Sequence, residues 1–316
     1  MSDFTPQSAM EVPRFAGIRT FMKLPHAQAV EGVHGVIVGL PFDTGASYRV
    51  GARFGPEAIR RGSTLLRPYN PVQQVNVFAR CGFVDYGDLP VVPGSIADSY
   101  RLMEEGLAPI VAAGVIPIGL GGDHSVTLAE LRALSRRWGP LGLIQLDSHP
   151  DTWDGYWGQR YTHGTVFRRA AEEGVLDPAR SIQVGLRGPI YGPEDYGQSR
   201  ELGFEVITME EVRRLGLEAT GARMRARAGD GPVFLSFDVD VVDPAFAPGT
   251  GTPEVGGFTS WEALSLVRSL AGVRLVGADV VEVVPAFDVA EVTAMLAANV
   301  VFEIMSLIAR GREGAA

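Results

Sequence analysis

The chain of 316 residues carries 28 Lys and Arg against 37 Asp and Glu, a formal charge of −9, with five histidines and one cysteine. A lone cysteine excludes an internal disulfide, a cysteine-rich zinc site and an iron–sulfur cluster, and the acidic balance argues against a nucleic-acid partner, which needs a basic footprint. No apolar run is read as approaching the roughly 18 residues that cross a bilayer, and residues 1–14 lack the basic-then-apolar order of a secretory signal, so a cytoplasmic protein without a membrane partner is expected.

In chain order, residues 33–40 (VHGVIVGL) form the first buried strand, and Pro56 falls in the first turn of a helix opened by Gly55. Residues 95–113 form a helix capped by Ser95 and stopped by Gly114. A strand at 115–120 (VIPIGL) precedes a helix at 124–137, and a strand at 141–146 (LGLIQL) follows. Further strands at 181–186, 204–208 and 233–237 are separated by helical patterns near 166–173, 196–202 and 217–228. A helix at 260–270, a strand at 273–283 and a long helix at 291–309 close the chain. Seven near-continuous apolar strands alternating with helices predict a parallel sheet covered on both faces, a three-layer α/β architecture. No linker, repeat or composition break divides residues 1–316, so one domain is expected, with loose ends at about residues 1–15 and at 311–316.

Parallel sheets place their chemistry at the carboxyl ends of the strands. Three polar clusters fall there. Gly121-Gly122-Asp123-His124-Ser125 follows the strand at 115–120, and Asp147-Ser148-His149-Pro150-Asp151 follows the strand at 141–146. Asp238-Val239-Asp240-Val241-Val242-Asp243-Pro244 follows the strand at 233–237. In extended backbone, Asp147, His149 and Asp151 share one face, as do Asp238 and Asp240. Four gathered carboxylates disfavour one another's ionisation unless cations stand between them. Two divalent ions would meet that need, with His124 and His149 as nitrogen donors. A mixed oxygen and imidazole set suits Mn²⁺ or a similar metal, and a metal-bound water is a nucleophile near neutral pH. Any one of these clusters alone has an ordinary reading as a cap or turn; the three together point to a binuclear metal site.

These blocks resemble the signatures of the ureohydrolases, the family of arginases, agmatinases and guanidino-acid hydrolases. The likeness extends to Arg49-Val50-Gly51-Ala52-Arg53-Phe54-Gly55-Pro56, to Tyr161-Thr162-His163-Gly164-Thr165 and to Glu282-Val283-Val284-Pro285, nearly the whole chain. It implies a three-layer arginase/deacetylase-like fold around a mostly parallel eight-stranded sheet. It also implies one metal held by His124, Asp147, Asp151 and Asp238, and a second held by Asp147, His149, Asp238 and Asp240. Two Mn²⁺ per subunit are implied, with nickel in some relatives, in a homotrimer or homohexamer. Ser148 departs from the Ala common in the family; its hydroxyl is expected on the strand face opposite the ligands. In the mechanism that the resemblance implies, Asp151 orients an activated water, His163 shuttles a proton, and Glu282, a buried acid that needs a partner, meets the guanidinium fork.

The substrate is less constrained. Trp153 stands where arginases carry an Asn that binds the amino-acid head, and 246–254 (FAPGTGTPE) is similar to agmatinases and guanidino-acid hydrolases. Trp153 and Tyr156 are candidate substrate contacts, with Trp157 beside them; aromatic faces suit the cationic tail of agmatine. Arg160 or Arg187 would suit the anionic tail of 4-guanidinobutanoate or 3-guanidinopropanoate. Agmatine is placed first, as the common assignment for this sequence type. Two readings of other kinds are a catalytically silent metal-binding subunit and a one-zinc amide deacetylase of related fold.

Overall fold

The computed structural model describes residues 4–28 and 30–312. The expected loose ends at 1–3 and 313–316 lie outside the described residues. The strands are β1 (Gly35–Leu40), β2 (Tyr69–Asn70), β3 (Val75–Asn76), β4 (Phe83–Asp88), β5 (Ile116–Gly121), β6 (Gly142–Leu146), β7 (Ile182–Leu186), β8 (Glu205–Thr208), β9 (Val233–Asp238) and β10 (Leu275–Val281). The helices are α1 (Gly55–Ser63), α2 (Val77–Arg80), α3 (Ile96–Ala112), α4 (Thr127–Trp138), α5 (Val166–Glu172), α6 (Glu194–Glu201), α7 (Met209–Leu215), α8 (Leu217–Ala228), α9 (Ser260–Arg268) and α10 (Val292–Arg310).

Eight strands build one sheet in the order β4-β1-β5-β10-β9-β6-β7-β8, and every neighbouring pair is parallel. Strands such as GVIVGL and LVGADVV are buried along their whole length, because helices cover both faces. Ile37, Ile118, Leu235 and Val280 point to the side of α1, α8, α9 and α10. Val36, Val38, Leu143 and Phe234 point to the side of α3, α4 and α5. That alternation gives two cores, one on each side of the sheet.

Sequence patterning missed β4, the edge strand. Its sequence, FVDYGD, breaks the apolar run with acids, yet Asp85 is buried and paired with Arg60 at 2.8 Å, and it accepts the Phe21 N–H at 2.7 Å. The short helices α2 and α7 and the β2–β3 hairpin were also unread. The view that no apolar run suffices for a membrane needs correcting: α10 has a mean hydropathy of 1.9 and is long and apolar enough to cross one. It is instead a core helix, 83% of that window being buried against the protein's own interior. The described part of the N-terminal arm has no helix or strand before Phe21 and is tied down by Gln7 N–H to Lys23 O and by Lys23 Nζ to Pro13 O and Ala16 O.

Candidate metal centre

Four neighbouring central strands, β5, β10, β9 and β6, deliver the site from their carboxyl ends. His124 opens a short 3₁₀ turn after β5, with Asp123 as its N-cap. Asp147, His149 and Asp151 follow β6, Asp238 ends β9, and Glu282 follows β10. Asp151 and Glu282 adopt positive φ, +50° and +64°, a strain of about 1–3 kcal/mol each for residues that are not glycine.

The expected ligands converge. His124 Nδ1 lies 3.1 Å from Asp147 Oδ2, 3.0 Å from Asp151 Oδ2 and 3.3 Å from Asp238 Oδ2. His149 Nδ1 lies 3.0 Å from Asp240 Oδ2 and 3.7 Å from Asp147 Oδ1. Asp147 therefore offers one oxygen to each group, as a bridging carboxylate does. Asp238 faces the His124 group, and its Oδ1 accepts the Asp240 N–H at 2.8 Å.

The electrostatics ask for cations. Burial lifts Asp147 to about 7, with Asp151 and Asp240 adding to the shift, and burial, then Asp240 and Asp147, hold Asp238 well above the usual carboxylate range. Burial opposes charge on both histidines, yet the surrounding carboxylates push His149 up to about 10 and His124 well above its ordinary value. Burial also works against ionised Asp240, but His149 and the Ser148 hydrogen bonds outweigh it and lower its pKa. The ion pairs of these four carboxylates are all with His124 or His149. His124 Nδ1 is buried without a hydrogen-bond partner, while its Nε2 meets Ser236 Oγ at 2.8 Å. A bare imidazole nitrogen ringed by carboxylates fits divalent metals.

Ser148 is where the sequence reading fails. Its hydroxyl does not point away: Oγ donates to Asp240 Oδ1 at 2.7 Å and lies 3.1 Å from His149 Nδ1. The strand ends at Leu146, so strict alternation no longer governs residue 148. Gln145 and Gln183 were unread as well. Gln145 Nε2 donates to Asp147 Oδ2 at 2.7 Å, and Gln183 Nε2 donates to Gln145 Oε1 at 2.6 Å. Polar residues inside otherwise apolar strands (LGLIQL, SIQVGL, FLSFD, LVGADVV) were the available signal.

Beside the metal ligands, Glu282 Oε1 accepts the His124 N–H at 2.9 Å and meets His163 Nδ1 at 3.0 Å. Its Oε2 is buried with no donor. Gly251 leaves that side open: a Cβ there would sit 3.3 Å from Oε2. His163 Nε2 meets the Ser47 hydroxyl at 2.7 Å and accepts the Ser47 N–H at 3.1 Å. Burial opposes its charge, but Glu282 holds its pKa up at about 9.

A cavity of about 350 Å³ opens over this group, lined by Ser47, His149, Asp151, Trp153, Tyr156, His163, Gly164, Pro189, Ile190, Tyr191 and Thr252. Trp153 packs edge-on against Tyr156 and Tyr191, with centroids 5.8 and 6.2 Å away. Gly164 permits this, since a Cβ there would come within 2.9 Å of the Tyr156 ring. Trp157 turns outward, 73% exposed. Arg160 pairs with Glu172 at 2.9 Å. Arg187 does not join the cavity lining. Its Nη2 donates to the carbonyls of Asp240 and Glu254 at 2.6 and 2.7 Å, and its other nitrogens donate to those of Val241, Gly185 and Val255. With every nitrogen spent on backbone, Arg187 clamps loops together, which corrects its expected place as a substrate contact. A larger cavity, about 840 Å³, lies under the N-terminal arm, and no acidic side chain lines it among the described residues.

A parallel α/β sheet carrying a carboxylate–imidazole pair of metal pockets at its central strand ends defines a binuclear-metal hydrolase. Residues 34–307 match the arginase family, and the chain belongs to that family. It is 50% identical over 305 residues to the guanidinopropionase of Pseudomonas aeruginosa, covering 96% of each chain. It is 43% identical over 303 residues to the mitochondrial agmatinase of Gallus gallus, covering 96% of this chain and 89% of that one. Among solved structures, proclavaminate amidino hydrolase from Streptomyces clavuligerus superposes with a TM-score of 0.90 at 41% identity, covering 94% of this chain and 99% of that one. The protein is thus a ureohydrolase that acts on the C–N bonds of linear guanidino compounds.

Proposed function

We propose that this protein hydrolyses a short guanidino acid, 3-guanidinopropanoate or 4-guanidinobutanoate, to urea and the amino acid, with two Mn²⁺ per subunit. The observation that carries the choice of substrate is Trp153 Nε1, a buried donor without a partner in a residue lining the cavity. An indole N–H donates only, so it suits a carboxylate and offers nothing to an ammonium group. Apart from Asp151, which stands among the metal-ligand groups, the lining has no acid among the described residues to receive a cationic tail; Tyr156, Tyr191, Pro189 and Ile190 lie there instead. The 50% identity to a guanidinopropionase agrees with this reading. Agmatine remains the second reading, on the ring faces of Trp153 and Tyr156 and the 43% identity to an agmatinase.

His124, Asp147, Asp151 and Asp238 would hold one ion, and Asp147, His149, Asp238 and Asp240 the other; bound there, the ions supply a water that ionises near neutral pH. Manganese is favoured by the hard carboxylates mixed with imidazole. Glu282 Oε2 receives the guanidinium N–H groups and fixes the carbon over the cluster. Asp151 takes the proton of the attacking water. His163, with Nδ1 turned to Glu282 and a pKa of about 9, takes up a proton at Nε2 in place of the Ser47 N–H contact and passes it to the leaving nitrogen, so that guanidinium and water become urea and an ammonium product. We also assign a homo-oligomeric, cytoplasmic protein, on the family resemblance and on the single, buried cysteine, Cys81.

Urea release with Mn²⁺ over 3-guanidinopropanoate, 4-guanidinobutanoate, agmatine and arginine tests the substrate. The acids are expected to have the highest kcat/KM. Trp153→Phe is expected to cut their kcat/KM about tenfold, one hydrogen bond to a charged group contributing about 1.5–3 kcal/mol, and to leave agmatine little changed. Preference for agmatine by the wild type would overturn the guanidino-acid assignment.

A further inference from the structure

Behind the metal centre, on the α4 side of the sheet, lies a second group of buried acids that the reaction does not use. Gly119, Asp279 and Ser236 stand in register across β5, β10 and β9. Asp279 Oδ1 accepts from Ser236 Oγ at 2.7 Å and Oδ2 from Thr127 Oγ1 at 2.5 Å. Glu130, on α4, reaches down to the same place, over Gly119, the register partner of Asp279, and the charge of Asp279 opposes its own. All four side chains, Glu130, Asp279, Ser236 and Thr127, are wholly buried. Gly119 makes the room: a Cβ there would fall 2.6 Å from Glu130 Oε1. Neither oxygen of Glu130 has an N–H or hydroxyl partner, and neither acid pairs with an Arg or Lys.

Two carboxyl groups in mutual contact in a dry interior carry one proton between them. The number of available donors decides which holds it: Asp279 has the Ser236 and Thr127 hydroxyls within reach to stabilise a negative charge and Glu130 has none, so Asp279 is the carboxylate and Glu130 the acid. Ser236 has then spent its only proton, and its oxygen accepts from His124 Nε2–H at 2.8 Å. That sets the tautomer of His124 with Nδ1 bare, facing Asp147, Asp151 and Asp238. A proton on Asp279 instead would reverse the line: Ser236 would donate to Nε2, and Nδ1 would carry the hydrogen that a metal must displace.

We propose that Glu130 is a positioning residue of the metal centre: as a neutral carboxyl group it donates to Asp279 and, through Ser236, holds His124 in its metal-binding tautomer. Burial, followed by the charge of Asp279, keeps the Glu130 pKa well above the usual range, in accord with a neutral group. The inference rests on the metal centre and not on the substrate assigned above, so its test reads metal rather than turnover.

The test is equilibrium dialysis of chelator-treated protein against Mn²⁺ with metal counted per chain, for Glu130→Gln, Glu130→Leu and each of them combined with Ser236→Ala. Glu130→Gln keeps a donor to Asp279 and is expected to bind both ions as the wild type does. Glu130→Leu is expected to weaken one of the two ions about tenfold, the lower end for lost support of a metal-binding histidine. Its metal-free melting temperature is expected to fall, since Asp279 loses a donor, so affinities are compared on samples shown to be folded. In the Ser236→Ala background, Glu130→Leu should cost nothing further. Unchanged affinity in Glu130→Leu overturns the proposal. So does equal loss in Glu130→Gln, or an undiminished loss without Ser236. Glu130→Met, closer in length to the native side chain, repeats the reading if Leu prevents folding.

Discussion

Neutralising Glu282 at constant shape isolates what the guanidinium end of the substrate contributes. In Glu282→Gln one oxygen becomes an NH₂ group. It cannot occupy the Oε1 position, where the N–H of His124 and Nδ1 of His163 already converge at 2.9 and 3.0 Å. The amide nitrogen is therefore forced to the Oε2 position, which has no protein donor. There it turns N–H groups toward a guanidinium that itself has only donors. Breaking one side of a buried charged pair costs about 3–5 kcal/mol. At 1.36 kcal/mol per tenfold, kcat/KM should fall by about two to four powers of ten. Backbone strain at residue 282 is unchanged, and Glu282 is not one of the clustered ligand groups, so two ions per chain should remain. Urea release, fitted for kcat/KM beside a metal analysis of the same sample, makes the measurement. A variant that keeps both ions and a kcat/KM within about fivefold of the wild type would refute the pairing of Oε2 with substrate.

Ser148→Ala removes the hydroxyl from Asp240 but leaves the Ser148 backbone N–H on the same oxygen at 3.1 Å; affinity for one Mn²⁺ should drop about tenfold, read by dialysis, and an unchanged affinity would mean that the hydroxyl is idle. His163 has a folded-state pKa of about 9 against an ordinary value of 6.5. Raised above its unfolded value, it stabilises the protein fully below pH 6.5 and loses that contribution as pH climbs through 9. The gap corresponds to about 3 kcal/mol at 1.36 kcal/mol per unit, so the stability difference between metal-free wild type and His163→Asn should shrink between pH 6.5 and 9. Parallel denaturation curves across that range would contradict the ion pair with Glu282.

Strand and helix positions were legible wherever burial was uniform. Residues 217–228 were read to the residue as α8, and β1, β5, β6 and β9 fell within two residues of their limits. The gathering of the three polar clusters was legible because parallel strands must end at one rim, so clusters far apart in sequence could converge only there. What escaped has a common cause: charge or polarity inside the sheet that is compensated by residues distant in sequence. Asp85 in β4 is neutralised by Arg60 from α1, and nothing near Asp85 in the chain announces that partner. Arg187 shows the converse error. Its position after β7 resembled a substrate contact, but the carbonyls that satisfy it come from residues 240, 241, 254 and 255, a loop whose path could not be read from composition. Ser148 escaped through a local cause, the end of the strand one residue before Asp147.

The net charge of −9 is a property of the interior rather than of the surface. Twelve acidic residues are buried, against Lys23, Arg60 and Arg169 as the only buried cations among the described residues; the difference equals the formal charge of the whole chain. Some of the twelve are answered locally, Asp43 by Arg53, Asp85 by Arg60 and Glu303 by Arg268. Eight of the others, Asp123, Glu130, Asp147, Asp151, Asp238, Asp240, Asp279 and Glu282, stand in the metal centre or directly behind it. A fold cannot hold eight uncompensated charges in one dry region. Two dications answer four of them, the proton on Glu130 answers a fifth, His163 and the incoming guanidinium answer two more, and the eighth, Asp123, is raised by burial to about 7 and so half relieved of its charge near neutral pH. The substrate's cationic end therefore completes the charge balance of the site as well as supplying the reacting carbon, and the metals are as much a condition of the folded strand ends as of the reaction. An anionic tail, by the same reasoning, must be held away from this region, beside Trp153, Tyr156 and Tyr191, since the one carboxylate in the cavity lining among the described residues, Asp151, belongs to the metal centre.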